Sequence, residues 1–167
     1  MVSESKKVRE ILFRGQTRRY GEKVRMGDGF KLPSRWVYGG VLQGVSAHSI
    51  IYGGENADNP GEGLEKWVVY TDTLGQFTEL TDKVGHRAFE HDVIKHHFGD
   101  EIGVIRYGTY NNPFGDDGFG GHAGFYVDWV AGTYPQTLRK DLGYWMNMVE
   151  IIGNIHDNPE LLEGCDG

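Results

Sequence analysis

The sequence predicts an all-β chain, a barrel or a sandwich, and three observations carry that prediction. Glycine takes 26 of 167 positions, which supplies tight turns and weakens helices. Aromatic residues reach 13%, and they favour pleated, half-buried surfaces. Short runs of β-branched and aromatic residues recur along the chain, punctuated by Gly, Asn, Asp and Pro.

The first run is REILFRG (9–15). A hairpin built on it would present an unpaired edge for neighbouring subunits to cover. RWVYGGVLQG (35–44) is the second run, with Trp36 and Tyr38 on one face. AHSIIYG (47–53) follows after a short connection and reads as its hairpin partner. GGENADNPGEG (53–63) is nearly all turn formers and reads as a solvated loop. KWVVYTD (66–72), HDVIKHHF (91–98) and EIGVIRYGTY (101–110) continue the series. After a second loop, NNPFGDDGFGGHAG (111–124), comes FYVDWV (125–130). There Phe125, Val127 and Trp129 alternate with Tyr126 and Asp128, as in a strand buried on one face.

The C-terminal stretch EIIGNIHDNPELL (150–162) fits helical and strand spacing equally well. Its β-branched residues and Gly153 decide for a strand over 149–155, with Val149, Ile151 and Ile155 facing the core. Gly153 then marks a bulge or a close backbone approach. Asn158-Pro159-Glu160 has the form of an N-cap, a first-turn proline and an acid facing the dipole, so a short C-terminal helix follows.

A chain of this length reads as one domain, residues 1–167, with the 53–63 loop as its best internal boundary. A subdivision would separate an N-terminal β part, 1–72, from 73–167. Cys165 is the sole cysteine, which excludes an intrachain disulfide and a Cys-based zinc site. The charged N-terminus and the lack of a long apolar run predict a soluble, cytoplasmic protein with no membrane partner. The net charge of −7 is unevenly spread. Residues 1–25 hold eight Lys/Arg against three acids, a net of +5, and the remainder carries −12. Such a split serves either nucleic acid binding or attraction between copies of the chain.

Five pieces in order carry a resemblance: REILFRGQ (9–16), WVYGGVLQ (36–43), TLGQFTELTDKVGHRAFEHDVIK (73–95), GFYVDW (124–129) and VEIIGNIHDNPELL (149–162). Together they resemble the YopX family of small phage and prophage proteins. The resemblance implies a phage or prophage origin, a mainly β fold with an SH3-like barrel, and homo-oligomerisation. It implies no activity and brings no catalytic residues. The family pattern has glycine where this chain has His91, and asparagine where it has Val84. Both departures place a bulkier side chain where unusual backbone angles are tolerated, so these two turns are expected to differ locally.

His91, Asp92, His96 and His97 invite a metal reading, with His122 as a further ligand. Strand alternation puts Asp92 and His96 on one face and His91 and His97 on the other, so no metal site is assigned. Glu79, Asp82, Glu90 and Asp92 could hold a general acid and base, yet turns attract Asp for structural reasons. Asp82 reads as the side chain that opens a turn closed by Gly85. The Gly/Asp-rich 111–124 loop lacks the acid spacing of a calcium loop. Trp36, Tyr38, Trp67, Tyr70, Phe125 and Trp129 could stack bases, although strand periodicity reads them as core.

The function expected is therefore that of a non-enzymatic, oligomeric protein-interaction module, with a host or phage protein as partner and no cofactor. Arg14, Arg18 and Arg19 are the candidate partner-binding residues. The alternatives are a nucleic-acid-associated protein using the basic N-terminal segment and a carboxylate-dependent hydrolase.

Overall fold

The computed structural model describes residues 9–17, 36–44, 47–52, 66–113 and 121–163. Most of them lie in antiparallel strands, and the chain divides into two compact units, Met1–Gln76 and Phe77–Gly167. The expected all-β architecture is present.

In the first unit β1 (Phe13–Gln16), β2 (Trp36–Leu42), β3 (His48–Tyr52) and β4 (Lys66–Tyr70) pair in the order β4-β3-β2-β1. β2 and β3 form the expected hairpin, with Gly40 opposite Tyr52 and Leu42 opposite Ile50. The two ends of this sheet meet at a single bridge, Thr17 to Val69. Val37, Ile51 and Val69 fill the inner face, with Val41, Trp67 and Leu74 against them. The double glycine of WVYGGVL sits where β2 changes partner: Trp36–Gly39 pair with β1 and Gly40–Leu42 with β3. β1 is not the free edge expected of the 9–15 run. It pairs with β2 on one side and, through Phe13 and Arg14, with the start of β5 (Gly75–Thr81) on the other.

β5 continues into the second unit, where Phe77 and Thr81 pair with β6 (Arg87–Phe89) around a register shift. Glu79 sits in that shift at φ 66, and the Thr78 hydroxyl donates to the Ala88 carbonyl at 2.8 Å. A bulge with one residue in the left-handed region satisfies the backbone here. β7 (Asp92–His96), β8 (Ile102–Tyr110), β9 (His122–Ala131) and β10 (Val149–Asn154) form a second sheet, in the order β10-β7-β8-β9. A four-residue helix, α1 (Leu142–Trp145), supplies Leu142 and Trp145 to a core with Ile94, Ile105, Val127 and Val149.

The C-terminal strand forms over Val149–Asn154, one residue shorter than expected, and Ile155 is not part of the core cluster. Val149 is fully buried, Ile151 packs against the core and Ile155 is half-buried just beyond the strand. The register shift falls between Ile151 and Gly153, and a Cβ at Gly153 would lie 2.8 Å from Asn158 Cγ and 2.9 Å from Leu161 Cδ1. The glycine permits both the bulge and the close approach. The helix that follows is one 3-10 turn, Pro159–Leu162, and Asn158 gives it no side-chain cap. Its Oδ1 accepts instead from the Asn154 N–H at 3.3 Å.

A closed SH3-like barrel does not form among the described residues. β6 has three residues and its pairing is broken by the bulge, so β5–β6 reaches β10 without a ladder. The link is the Lys83 N–H donating to the Val149 carbonyl at 3.2 Å, together with the Asp82 carboxylate. No described helix is long and apolar enough to cross a membrane.

Candidate interaction surface

Alternation along β2, β3 and β4 sends one set of side chains inward and leaves the other facing out. The outward set runs Trp36, Tyr38, Gly40 and Leu42 on β2, then His48, Ile50 and Tyr52 on β3, then Lys66, Val68 and Tyr70 on β4. Tyr38 is 47% exposed, Leu42 57% and Tyr70 42%. In register these residues make rows: Gly40–Tyr52–Lys66, Leu42–Ile50–Val68, and His48 beside Tyr70. The Lys66 ammonium lies 5.8 Å from the Tyr52 ring centroid, and the His48 and Tyr70 rings are 5.4 Å apart. β1 to β4 contain no Asp or Glu, in a chain that has 24 of them. This face is apolar, aromatic and free of negative charge in its own strands. Exposed apolar surface of this kind is a candidate contact site.

The aromatic set singled out in the sequence divides. Trp67, Phe125 and Trp129 pack on the cores as periodicity predicts, whereas Tyr38 and Tyr70 face outward. Tyr52, Gly40, Leu42 and Lys66 join them. The signal was present in the parity of WVYGGVL, where Trp36, Tyr38, Gly40 and Leu42 share one face. Arg14 is only 8% exposed, its guanidinium 4.7 Å from the Trp36 ring centroid. Arg18 and Arg19 lie outside the described residues, as do the 53–63 loop and residues 114–120 of the second loop.

Asp82 and Asp92 are bound in structural roles. Asp82 Oδ1 accepts from the Val84 and His86 N–H groups at 3.0 and 2.8 Å, and Oδ2 from the Ile151 N–H at 3.0 Å. The His86 ring Nδ1 is 3.2 Å from Oδ2. The turn closes as read, with the Gly85 N–H donating to the Asp82 carbonyl and Gly85 at φ 95. Burial opposes ionisation of Asp82, but the donors from Ile151, His86 and Val84 outweigh it and hold the carboxyl below its ordinary range. Asp92 Oδ2 accepts from the buried Phe89 N–H at 2.8 Å. Glu79 is exposed on the bulge.

Asp141 behaves like Asp82. Burial works against its charge, and bonds from Tyr110, Arg139 and Asn112 prevail and lower its pKa. A carboxyl whose folded pKa is depressed contributes stability above its unfolded value, and that contribution is lost as pH falls through the folded value. The chain is accordingly expected to lose thermal stability in acid below about pH 4 through Asp82 and Asp141. Scanning calorimetry from pH 6 to pH 3 checks this; an Asp82→Asn variant should show a shallower acid limb than the parent.

The YopX protein family model matches residues 34–163, most of the chain. The chain belongs to the YopX family. No curated protein matches it. The two departures from the family pattern have different outcomes. His91, where the resemblance implies glycine, has φ 73, a left-handed conformation that costs a side chain about 1 kcal/mol or more. Its backbone is held from both sides, the N–H donating to Ile105 and the carbonyl accepting from Ile155. Val84 carries no such backbone strain, since the left-handed residue of its turn is Gly85.

The histidines do not converge on one ion. Among the described residues no group of three or more His, Cys, Asp or Glu side chains is arranged to hold a metal. His91 Nδ1 lies 3.2 Å from His156 Nε2, His96 packs edge-on against Trp129 and Trp145, and His97 Nδ1 is 2.7 Å from Lys83 Nζ. His122 stacks on Tyr110 at the start of β9.

Proposed function

We propose that this YopX-family chain is a phage or prophage accessory protein. In this reading it acts without catalysis in the bacterial cytoplasm, as a self-associating protein-interaction module that needs no cofactor. The observation that supports it most is the outward face of β2–β4, where aromatic and aliphatic side chains stand exposed on a rigid ladder. Against the hydrolase reading, two of its four carboxylates, Asp82 and Asp92, already accept from backbone donors. The second unit enters as an SH3-like scaffold whose sheets are pinned by Asp82 and not by a continuous ladder. Partner binding is assigned to Arg18 and Arg19, with Arg14 holding Trp36 in the face.

A nucleic-acid partner is the second reading, favoured by the acid-free strands and the exposed tyrosines. The two separate in one experiment. Arg18 and Arg19 changed together to Glu, with the buried Arg14 kept, should weaken self-association, read as a lower mass by light scattering. A single-stranded oligonucleotide should show no binding at about 0.15 M salt. Retarded oligonucleotide that is released as salt rises would transfer the function to nucleic acid. An oligomer indifferent to the Arg→Glu changes would take the basic segment out of the interface.

A further inference from the structure

We propose that the slot over Gly40 on the outward face receives Phe98 of a second copy of the chain, joining copies head to tail. The inference rests on the self-association reading and names its interface. Gly40 is exposed, and a Cβ built on it would meet nothing within 4 Å. The gap is walled by Tyr38 and Leu42 on the same strand face and by Tyr52 directly opposite. Lys66 stands next in that row. The missing side chain leaves a gap in an apolar, aromatic row that ends in a cation.

Phe98 suits such a gap. At 83% it is the most exposed large apolar side chain among the described residues, and it stands on the turn between β7 and β8. His97 and His96 meet its ring edge-on, at centroid distances of 4.6 and 6.3 Å. Asp100 follows two residues later, its carboxylate fixed by the Thr133 N–H and hydroxyl at 3.0 Å. An aromatic knob beside a fixed anion therefore matches an aromatic gap beside a cation.

The charges of the two units favour the same pairing. The first, Met1–Gln76, has eleven Lys/Arg against nine Asp/Glu, a net of +2. The second, Phe77–Gly167, has six against fifteen, a net of −9. First unit to second unit is the attractive combination. Two outward faces meeting each other would bring two net positive units together and leave Phe98, which belongs to the second unit, out of the contact. The contact is therefore heterologous, with different surfaces on the two partners.

Two variants and their mixture test this. Gly40→Val fills the gap at a site with room for the side chain, and Phe98→Asp removes the knob from an exposed turn. Each is expected to weaken self-association about tenfold or more by sedimentation velocity, with the circular dichroism of the parent. Mixed in equal amounts, they should form a dimer and nothing larger, because one retains the knob and the other the gap. A wild-type oligomer unaffected by Phe98→Asp would overturn this interface and leave self-association standing. A failure of the mixed pair to associate would also overturn it. A wild-type monomer would remove both readings. If Gly40→Val does not fold, Phe98→Asp mixed with the wild type decides: it should cap wild-type assemblies and lower their mass, and no effect overturns the inference.

Discussion

Replacing Asp82 by alanine is expected to cost the second unit about 3 kcal/mol, which lowers the midpoint of its thermal unfolding by about 15 °C. The carboxylate is 4% exposed and joins three things at once. It closes the turn after β5 through the Val84 and His86 N–H groups, pairs with the His86 ring, and reaches Ile151 on β10. Alanine leaves those part-buried backbone donors without their acceptor, which adds a share of the desolvation penalty to the lost bonds. Lys83 donates to Val149 from the same turn, so loosening the turn also weakens this backbone bond to β10. Chemical denaturation followed by Trp129 and Trp145 fluorescence measures the effect. A change under about 0.5 kcal/mol would mean that water replaces the carboxylate and that the turn does not pin the sheets.

The second large effect belongs to Gly39. A Cβ at this position would lie 2.7 Å from the Tyr52 carbonyl carbon and 3.1 Å from Ile51 Cγ2. The first neighbour is backbone and cannot rotate away. Gly39→Val is therefore expected to cost the first unit about 3 kcal/mol or more, by forcing β2 off β3 where it changes partner. Gly40→Val, one residue along, should be close to neutral. Hydrogen exchange should show the Gly39 variant losing protection in peptides covering 36–44 and 47–52, with 92–110 protected as before. Equal protection in both variants would show that the double glycine serves no steric need.

Much of the fold could be read from residue order because its strands carry the expected alternation. β9 shows this in Val127 and Trp129, and β10 in Val149 and the glycine bulge at Gly153. β5 and β6 escaped because the bulge at Glu79 breaks their period and turn polarity masks their short pairing. α1 escaped because four residues make barely one turn and leave no periodic stripe. Asn158 had the form of a cap, yet the approach of Gly153 drew its side chain back toward Asn154. The interaction surface was half legible. Composition identifies Tyr38 and Tyr70 as strand aromatics, but which parity faces the core depends on Val37, Ile51 and Val69 meeting across strands far apart in sequence. Arg14 was unreadable for the same reason, since its burial against Trp36 follows from β1–β2 register and not from local charge.

On the proposed function the chain works by association, with itself first. The mass of the 167-residue chain in solution tests this, by multi-angle light scattering at tens of micromolar in moderate salt. The expected result is a discrete homo-oligomer that dissociates on dilution. A mass of 18.8 kDa, that of one chain, at every concentration tested would contradict it.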